Sequence, residues 1–335
     1  MIRCSVSLVL LFCTFIASAH HAATGRYAPD AFGEIEGVIT DVFWRNPHVR
    51  LLIAVDGEDG QEDEWEVEFG SVNTVERLGV ARDTVTIGER VSVYGRMGRD
   101  GLTAMFAAAI VLADGEEVVL QAGQRERYGL TDEALRDARN LPAELRSDIF
   151  RVWLPLERPN TGGGNFESVA LLYPLTAPAI AAQAQWDPEK DPALQCIPPG
   201  MPTAMDNPYP VEFREEGDTI VMLLEEWDGL RTIYINGTGD PAQPRMGRSV
   251  GRWEGRTLVV RTTDIDWRYL DDLGTPVSED VVIDERFTLS EDGAELVWEA
   301  SITDPVNFTE PVMQRILWAW LPGQEIKPFN CAVAG

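Results

Sequence analysis

Histidine is scarce in this sequence: the 335 residues contain three, at His20, His21 and His48. The lack of any histidine after His48 argues against a Ser-His-Asp triad and against a Cys/His zinc site in the C-terminal part of the chain. Two of the three histidines are adjacent near the start. Their meaning depends on where the mature protein begins.

Long apolar runs are also lacking. The run from Val6 to Ile16 is followed by Ala17-Ser18-Ala19, the small-x-small pattern of a signal-peptide cleavage site. It is too short to span a bilayer, and no later segment offers the ~20 apolar residues of a spanning helix. We therefore expect residues 1–19 to be a signal peptide, His20 to be the first mature residue, and the protein to be periplasmic or secreted without membrane insertion.

Cysteine is nearly absent from the expected mature chain. Cys4 and Cys13 lie in the leader, and Phe12 before Cys13 argues against a lipid anchor. The remaining Cys196 and Cys331 are an even pair in a compartment that permits disulfides. They favour one bridge that closes the C-terminal part of the chain and joins the entry of that part to its last strand.

Basic residues are few. The formal charge of −27 becomes −28 once Arg3 is lost, because 27 Lys and Arg then face 55 Asp and Glu. Such a surface repels phosphate backbones and anionic headgroups, so nucleic acid and membrane surfaces are poor partners. A small-molecule ligand is the partner class left open, and the sequence does not specify the oligomeric state.

The first mature segment, residues 20–115, reads as short strands and tight turns. Five strands in about 80 residues are typical of a small OB-like barrel. They are expected at 37–43, 49–55, 64–69, 90–94 and 104–112.

Residues 116–195 predict a helix and a connecting segment. Thr131 to Leu145 has helical periodicity, with Thr131 as a cap and Pro142 near the end. The stretch from 155 is rich in proline and glycine, including TGGGN at 161–165. We expect it to wrap on the next domain, because a disordered linker would leave several aromatic side chains in water.

Residues 196–335 predict a second set of strands joined by hairpin signals, with no helices alternating between them. They are expected at 211–214, 219–226, 231–236, 257–263, 281–289, 295–303 and 314–321. The sheet should therefore be antiparallel. A calycin-like (lipocalin-like) barrel is the first interpretation and a sandwich the second. The whole chain is expected to be all-β.

Three short motifs near the start carry a family resemblance. They are the His20-His21 start, W-x-N-P-H at 44–48, and W-x-x-E-x-G-S at 65–71. Over about residues 20–115 the chain resembles DUF6152, exported bacterial proteins of unknown function. The remainder is similar to another exported bacterial group with no assigned activity. That group usually has G-H-S-x-G-H where this chain has Arg248 and Arg252, so any chemistry of those histidines is absent here.

The histidines suggest a copper site. An N-terminal histidine offers its α-amino group and a ring nitrogen to one metal, and a second imidazole completes a three-nitrogen set that suits copper. His48 follows a rigid Pro47 and is the candidate second ligand beside His20. The alternative is a terminal His-His pair that binds Cu(II) without biological meaning.

Other patterns carry less chemistry. GRSVG at 247–251 matches a nucleophile elbow, but a turn and strand follow it, so Ser249 is rejected as a nucleophile. TGGGN lacks the Lys-Ser/Thr of a phosphate loop. The acidic run at 56–64 lacks the register of a calcium loop and reads as a solvated hairpin.

Five polar residues of the second domain could line a ligand pocket. They are Glu225, Arg231, Tyr234, Glu285 and Asp304. Cross-strand salt bridges are the competing explanation. Three hypotheses follow: an exported copper-binding protein, a barrel that binds an apolar or amphipathic small molecule, and a lyase, isomerase or hydrolase acting in that barrel.

The position of His20 can be tested directly. Exported protein should have the intact mass of a chain that begins at His20, because cleavage is expected after Ala19. Retention of Ala19 or an earlier residue would remove the copper hypothesis, since the chelating amine would then belong to another residue.

Overall fold

A computed structural model describes residues 26–57, 60–157, 173–187, 190–237, 239, 243–271 and 273–333. The expected signal peptide, the His20-His21 pair and the TGGGN segment lie outside the described residues. The described chain forms a six-stranded sheet and a closed nine-stranded barrel. The expected all-β class is confirmed.

The N-terminal domain is an OB-like barrel. Its elements are β1 (Tyr27–Phe43), β2 (Arg50–Asp56), β3 (Glu62–Glu68), α1 (Val72–Arg77), β4 (Arg90–Gly98), β5 (Ala104–Val111) and β6 (Glu117–Val119). The sheet order is β3-β2-β1-β4-β5-β6, and β3 also pairs with β5. That extra pairing turns five of the strands into a closed ring. The sequence had indicated these five strands but neither α1 nor β6.

Alternation along the strands builds the core of this barrel. In β2, Leu51 and Ile53 are fully buried, whereas their neighbours are only partly buried. Successive side chains of a strand point to opposite faces, so one set fills the interior. Ile39, Val67 and Val93 supply the same layer from other strands, each fully buried.

Four short helices lie in the described chain. Besides α1 they are α2 (Gln124–Arg127), α3 (Asp132–Arg139) and α4 (Ala177–Gln183). The predicted helix at 131–145 corresponds to α3, which Thr131 caps by accepting a hydrogen bond from Ala134 N at 3.1 Å. It ends three residues before Pro142, and a 3-10 turn at Ala143–Arg146 follows. The helix is shorter than predicted because proline lacks the N–H and fixes φ.

The C-terminal domain is a closed barrel of nine strands. They are β7 (Val152–Glu157), β8 (Val211–Glu216), β9 (Thr219–Leu224), β10 (Gly229–Ile235), β11 (Arg248–Glu254), β12 (Thr257–Thr263), β13 (Val282–Leu289), β14 (Glu295–Thr303) and β15 (Val312–Ala319). Strand β7 closes the ring between β15 and β8. The barrel thus takes one strand from the segment read as a connection.

One pair of neighbouring strands in each barrel is parallel. In the C-terminal barrel it is β10 and β11, and in the N-terminal barrel it is β3 and β5. Strand directions cannot alternate all the way round a ring with an odd number of strands. The expectation of a wholly antiparallel second sheet is therefore wrong at one pair, and the odd strand count is the reason.

Aromatic side chains fill the described interior of the nine-stranded barrel. Trp153, Trp298 and Trp318 are at most 1% exposed. Phe213 and Phe287 pack edge to face beside them, with ring centroids 5.4 Å apart. Such pairs add stabilisation beyond the area they bury.

The disulfide between Cys196 and Cys331 is confirmed, with Cα atoms 5.8 Å apart. Cys331 was expected on the last strand. It lies instead twelve residues beyond the end of that strand at Ala319. We call residues 322–333 the tail. The bridge therefore fixes the tail to the segment that enters the barrel.

The two domains meet at a buried carboxylate. Glu225 follows β9 and is fully buried. Both of its oxygens accept hydrogen bonds from Arg77 of α1, at 2.5 and 2.6 Å. Asn73 of α1 and the backbone N of Lys327 in the tail also donate to it, at 3.1 and 3.0 Å. One side chain of the barrel thus binds the N-terminal domain and the tail together.

In the part of the chain that the structure describes, no helix combines the length and apolarity needed to cross a membrane.

Removal of the Arg77 charge should weaken the junction. Arg77→Met leaves Glu225 as a buried charge without its ionic partner, which should lower the free energy of unfolding by about 3–5 kcal/mol. Arg82→Met is the matched control, because Arg82 is exposed and surface changes cost less than about 0.5 kcal/mol. Denaturant unfolding followed by tryptophan fluorescence measures both. Equal stability of the two variants would contradict the assigned role of Arg77.

Candidate functional site

His48 lies just before β2, at the end of the W-x-N-P-H segment. Its Nδ1 is 2.6 Å from Oε1 of Glu68 at the end of β3. The imidazole is 24% exposed, whereas the Glu68 carboxylate is 8% exposed. The ring of Phe106 contacts the imidazole edge-on, with centroids 5.8 Å apart. His48 is therefore a half-buried imidazole held by a buried carboxylate.

Glu68 has a second partner at the start of the described chain. The Tyr27 hydroxyl donates to Oε2 of Glu68 at 2.7 Å. Burial alone would raise the pKa of Glu68, but the charge and hydrogen bond of His48 and the Tyr27 hydroxyl lower it to about 2. Burial and the Glu68 charge raise the pKa of Tyr27 far above its usual value, so its hydroxyl keeps the proton. Glu68 is therefore an anion at neutral pH, bridging Tyr27 and His48.

Asn46 fixes the loop that carries His48. Its Oδ1 accepts a hydrogen bond at 2.8 Å from the backbone N of Val72, the first residue of α1. Its Nδ2 donates to Asn73 at 2.9 Å and to the carbonyl of Phe329 in the tail. Ser71 caps the same helix by accepting from Thr74 N at 3.1 Å. The residues before His48 are thus tied to α1 and to the tail.

The two family motifs meet at this point. His48 of W-x-N-P-H contacts Glu68 of W-x-x-E-x-G-S, and Asn46 binds the helix that Ser71 of the second motif begins. A Cβ at Gly70 would lie 3.2 Å from the Thr74 methyl, so a larger residue there would require Thr74 to shift. Trp44 and Trp65 pack against the domain core. Most motif residues therefore build and support the surroundings of His48.

Sequence reasoning selected His48 but not its partners. Glu68 stood in a quoted motif and pairs across β2 and β3 with Arg50, two residues after His48, so the register of this hairpin is the signal that could have identified it. Tyr27 and Asn46 gave no comparable signal, because their contacts depend on the closure of the barrel and on the tail. Within the described residues, no group of three or more His, Cys, Asp or Glu side chains could hold a metal ion. His20 and His21 lie outside these residues.

Two of the five pocket candidates come together inside the second barrel. Arg231 of β10 and Glu285 of β13 form a two-pronged ion pair, and both side chains are fully buried. Thr262 and Trp298 also donate to Glu285, each at 3.0 Å. Ser249 accepts from Nε of Arg231 at 3.1 Å. Each charge therefore has its ionic partner and additional hydrogen bonds, which a buried ion pair needs to offset the loss of water.

The other three candidates lie elsewhere. Glu225 is at the domain junction, bound to Arg77. Asp304 is buried and organises its own loop, accepting from Ser278 N and Oγ, each at 2.7 Å. Tyr234 lies half-buried near the end of β10, with its ring against Gly239. The five residues therefore do not form one constellation.

Ser249 lies on strand β11, which pairs with β12. Its hydroxyl is fully buried and bound to Arg231 and Thr262. The strand context agrees with the rejection of a nucleophile elbow, which requires a turn into a helix.

One described pocket lies at an end of the second barrel. The space between its walls is about 210 Å³ even when the open solvent at its mouth is included, and the walls include Pro198, Leu224, Trp227 and Met246. Pockets for drug-sized ligands run from about 300 to 1,000 Å³. This pocket is too small to support the small-molecule hypothesis by itself.

The ionised state of Glu68 should contribute to stability in a defined pH window. A carboxyl pKa lowered from 4.5 to about 2 contributes stability above pH 4.5, and that stability is lost as the pH falls towards 2. The difference in unfolding free energy between wild type and Glu68→Gln should therefore shrink by about 3 kcal/mol across this window. Urea unfolding at several pH values from 7 to 2 measures it. A difference that is the same at all these pH values would contradict the ionic role of Glu68.

A search of curated proteins found no match to this chain. Residues 9–106 match the model of DUF6152, described as a family of unknown function. The match covers the segment with the His-His start and most of the described N-terminal barrel, including both motifs that surround His48. The predicted resemblance is confirmed: the N-terminal part of this chain is similar to the DUF6152 family.

Proposed function

We propose that this is an exported copper-binding protein, with the metal held by the amine and ring of His20 and by the ring of His48. The observation that carries the proposal is the contact of His48 Nδ1 with the buried carboxylate of Glu68. A carboxylate that accepts from one ring nitrogen is the usual second-shell partner of a metal-binding histidine. In the proposed site, Nδ1 carries the proton that is donated to Glu68, and Nε2 is the nitrogen that would bind the metal.

The start of the described chain supports the second part of the site. Arg26 donates to Glu66 at 2.7 Å and Tyr27 donates to Glu68, so the chain enters the domain beside His48. His20 precedes Arg26 by six residues, and six residues span at most about 20 Å. The proposal requires these six residues to bring His20 to His48.

The donor chemistry favours copper over harder cations. An amine and two imidazoles form an all-nitrogen set, which suits Cu(II) in tetragonal geometry, whereas calcium and magnesium prefer oxygen ligands. Export supplies the free terminal amine, and the Cys196–Cys331 disulfide is typical of an oxidising compartment. The charge of −27 also favours cations near the surface.

The barrel hypothesis stays a prediction. The Arg231–Glu285 pair provides polar groups inside the barrel, but each group already has protein partners. No described feature distinguishes a ligand site there from an internal ion pair, so copper binding is the proposal that the geometry favours.

The ranking of four variants tests the copper site. Processed protein should bind one equivalent of Cu(II) with a nitrogen-rich tetragonal signal in electron paramagnetic resonance. His48→Ala should weaken binding strongly, and one extra residue before His20 should do the same, because it displaces the chelating amine. Glu68→Gln should weaken binding about 10- to 100-fold, as loss of a second-shell partner does.

His21→Ala is the matched control, since His21 is not a ligand in this proposal. Chelation by an unstructured His-His end predicts the reverse ranking, with His21 important and His48 irrelevant. Equal binding by wild type and His48→Ala would therefore refute the site.

A further inference from the structure

The tail lies across the junction between the two domains. Phe329 is 1% exposed and packs between Tyr209 and Trp227, with ring centroids 5.6 and 5.2 Å away. The Asp228 carboxylate accepts from the backbone N of Phe329 at 2.8 Å and of Asn330 at 3.1 Å. Up to Asn330, the tail is therefore docked on the second barrel.

Beyond Asn330 the tail contacts the loop that carries His48. Cys331 forms a parallel bridge with Asn46, and the N of Ala332 donates to the Asn46 carbonyl at 3.0 Å. Arg45 donates to the carbonyl of Val333 at 3.2 Å. Asn46 thus receives support from the tail on its backbone, two residues before His48.

The disulfide is the one covalent constraint on this end of the described tail. Cys196 and Cys331 are each partly exposed, so a soluble thiol can reach the bridge. The hydrogen bonds that hold Ala332 and Val333 are single contacts of exposed residues, which are weak in water. Without the bridge, little else holds residues 331–333 against Asn46.

We propose that the Cys196–Cys331 disulfide is a redox-controlled clamp on the loop that carries His48. Reduction frees residues 331–333, removes a backbone partner of Asn46 and loosens residues 44–48. Asn46 acts as a positioning residue, because it touches the tail and α1 rather than the metal. The consequence for copper rests on the proposed function, whereas the loosening of the loop does not.

The chemistry requires a dithiol reductant. One thiolate of the dithiol attacks a sulfur of the bridge, forms a mixed disulfide and releases the other cysteine as a thiolate. The second thiol then displaces the first cysteine. The protein gains two electrons and two protons as two thiols, and the dithiol becomes a cyclic disulfide.

Hydrogen–deuterium exchange tests the clamp without copper. Native protein is compared with and without dithiothreitol, and peptides are read by mass spectrometry. Reduction should speed exchange about tenfold or more in residues 44–50 and 331–333. Strand β13 should exchange at its original rate. Unchanged exchange at 44–50 would overturn the proposal, and so would faster exchange spread over the barrel strands, which would indicate global opening.

A double serine variant gives the second measurement and avoids thiols that chelate copper. Cys196→Ser/Cys331→Ser removes the bridge and leaves no cysteine in the processed chain. It should show the exchange pattern of the reduced protein and should raise the Cu(II) dissociation constant about tenfold. If wild type itself does not bind copper, the proposed function fails, and the exchange at 44–50 still decides the clamp. Copper affinity unchanged in the double variant would overturn the link between disulfide and site.

Discussion

The burial of the Glu225 carboxylate is the constraint on which the two-domain arrangement depends. A carboxylate that is fully buried is strongly unfavourable unless cations and donors surround it. Its partners come from two other places, Arg77 and Asn73 on α1 and the backbone of Lys327 in the tail. The burial of Glu225 is therefore fully compensated only when the first domain and the tail are both in position.

A continuous set of hydrogen bonds runs from this carboxylate to the surroundings of His48. Asn73 donates to Glu225 and accepts from Asn46, which holds the first turn of α1. His48 follows Asn46 by two residues and binds Glu68. The W-x-N-P-H motif thus has two roles. Asn46 links α1 to the tail, and His48 shares the Glu68 carboxylate with Tyr27. These contacts account for both residues without a catalytic role.

Much of the fold could be predicted because period-two patterns are local. The strands with clear alternation, such as β2 and β13, were placed close to their observed bounds. Strand β7 was missed because Pro155 and the proline-rich stretch after it read as a connection. Strand β11, which overlaps the GRSVG pattern, was also missed. The parallel pairs and the inclusion of β7 depend on how many strands close each ring, which is a property of the whole domain.

The site shows where local patterns cease to be informative. Four glutamates of β3, at 62, 64, 66 and 68, have the same parity and point to the same side. Only Glu68 is buried, because it lies at the strand end covered by Tyr27 and His48. In β13, Asp284 pairs with Arg261 on the outside, where both side chains are more than half exposed. The next residue, Glu285, pairs with Arg231 inside the barrel. An arginine–carboxylate pair is therefore a solvated surface contact at one position of β13 and an internal ion pair at the next position. The sequence does not show which of the two neighbouring residues faces the interior.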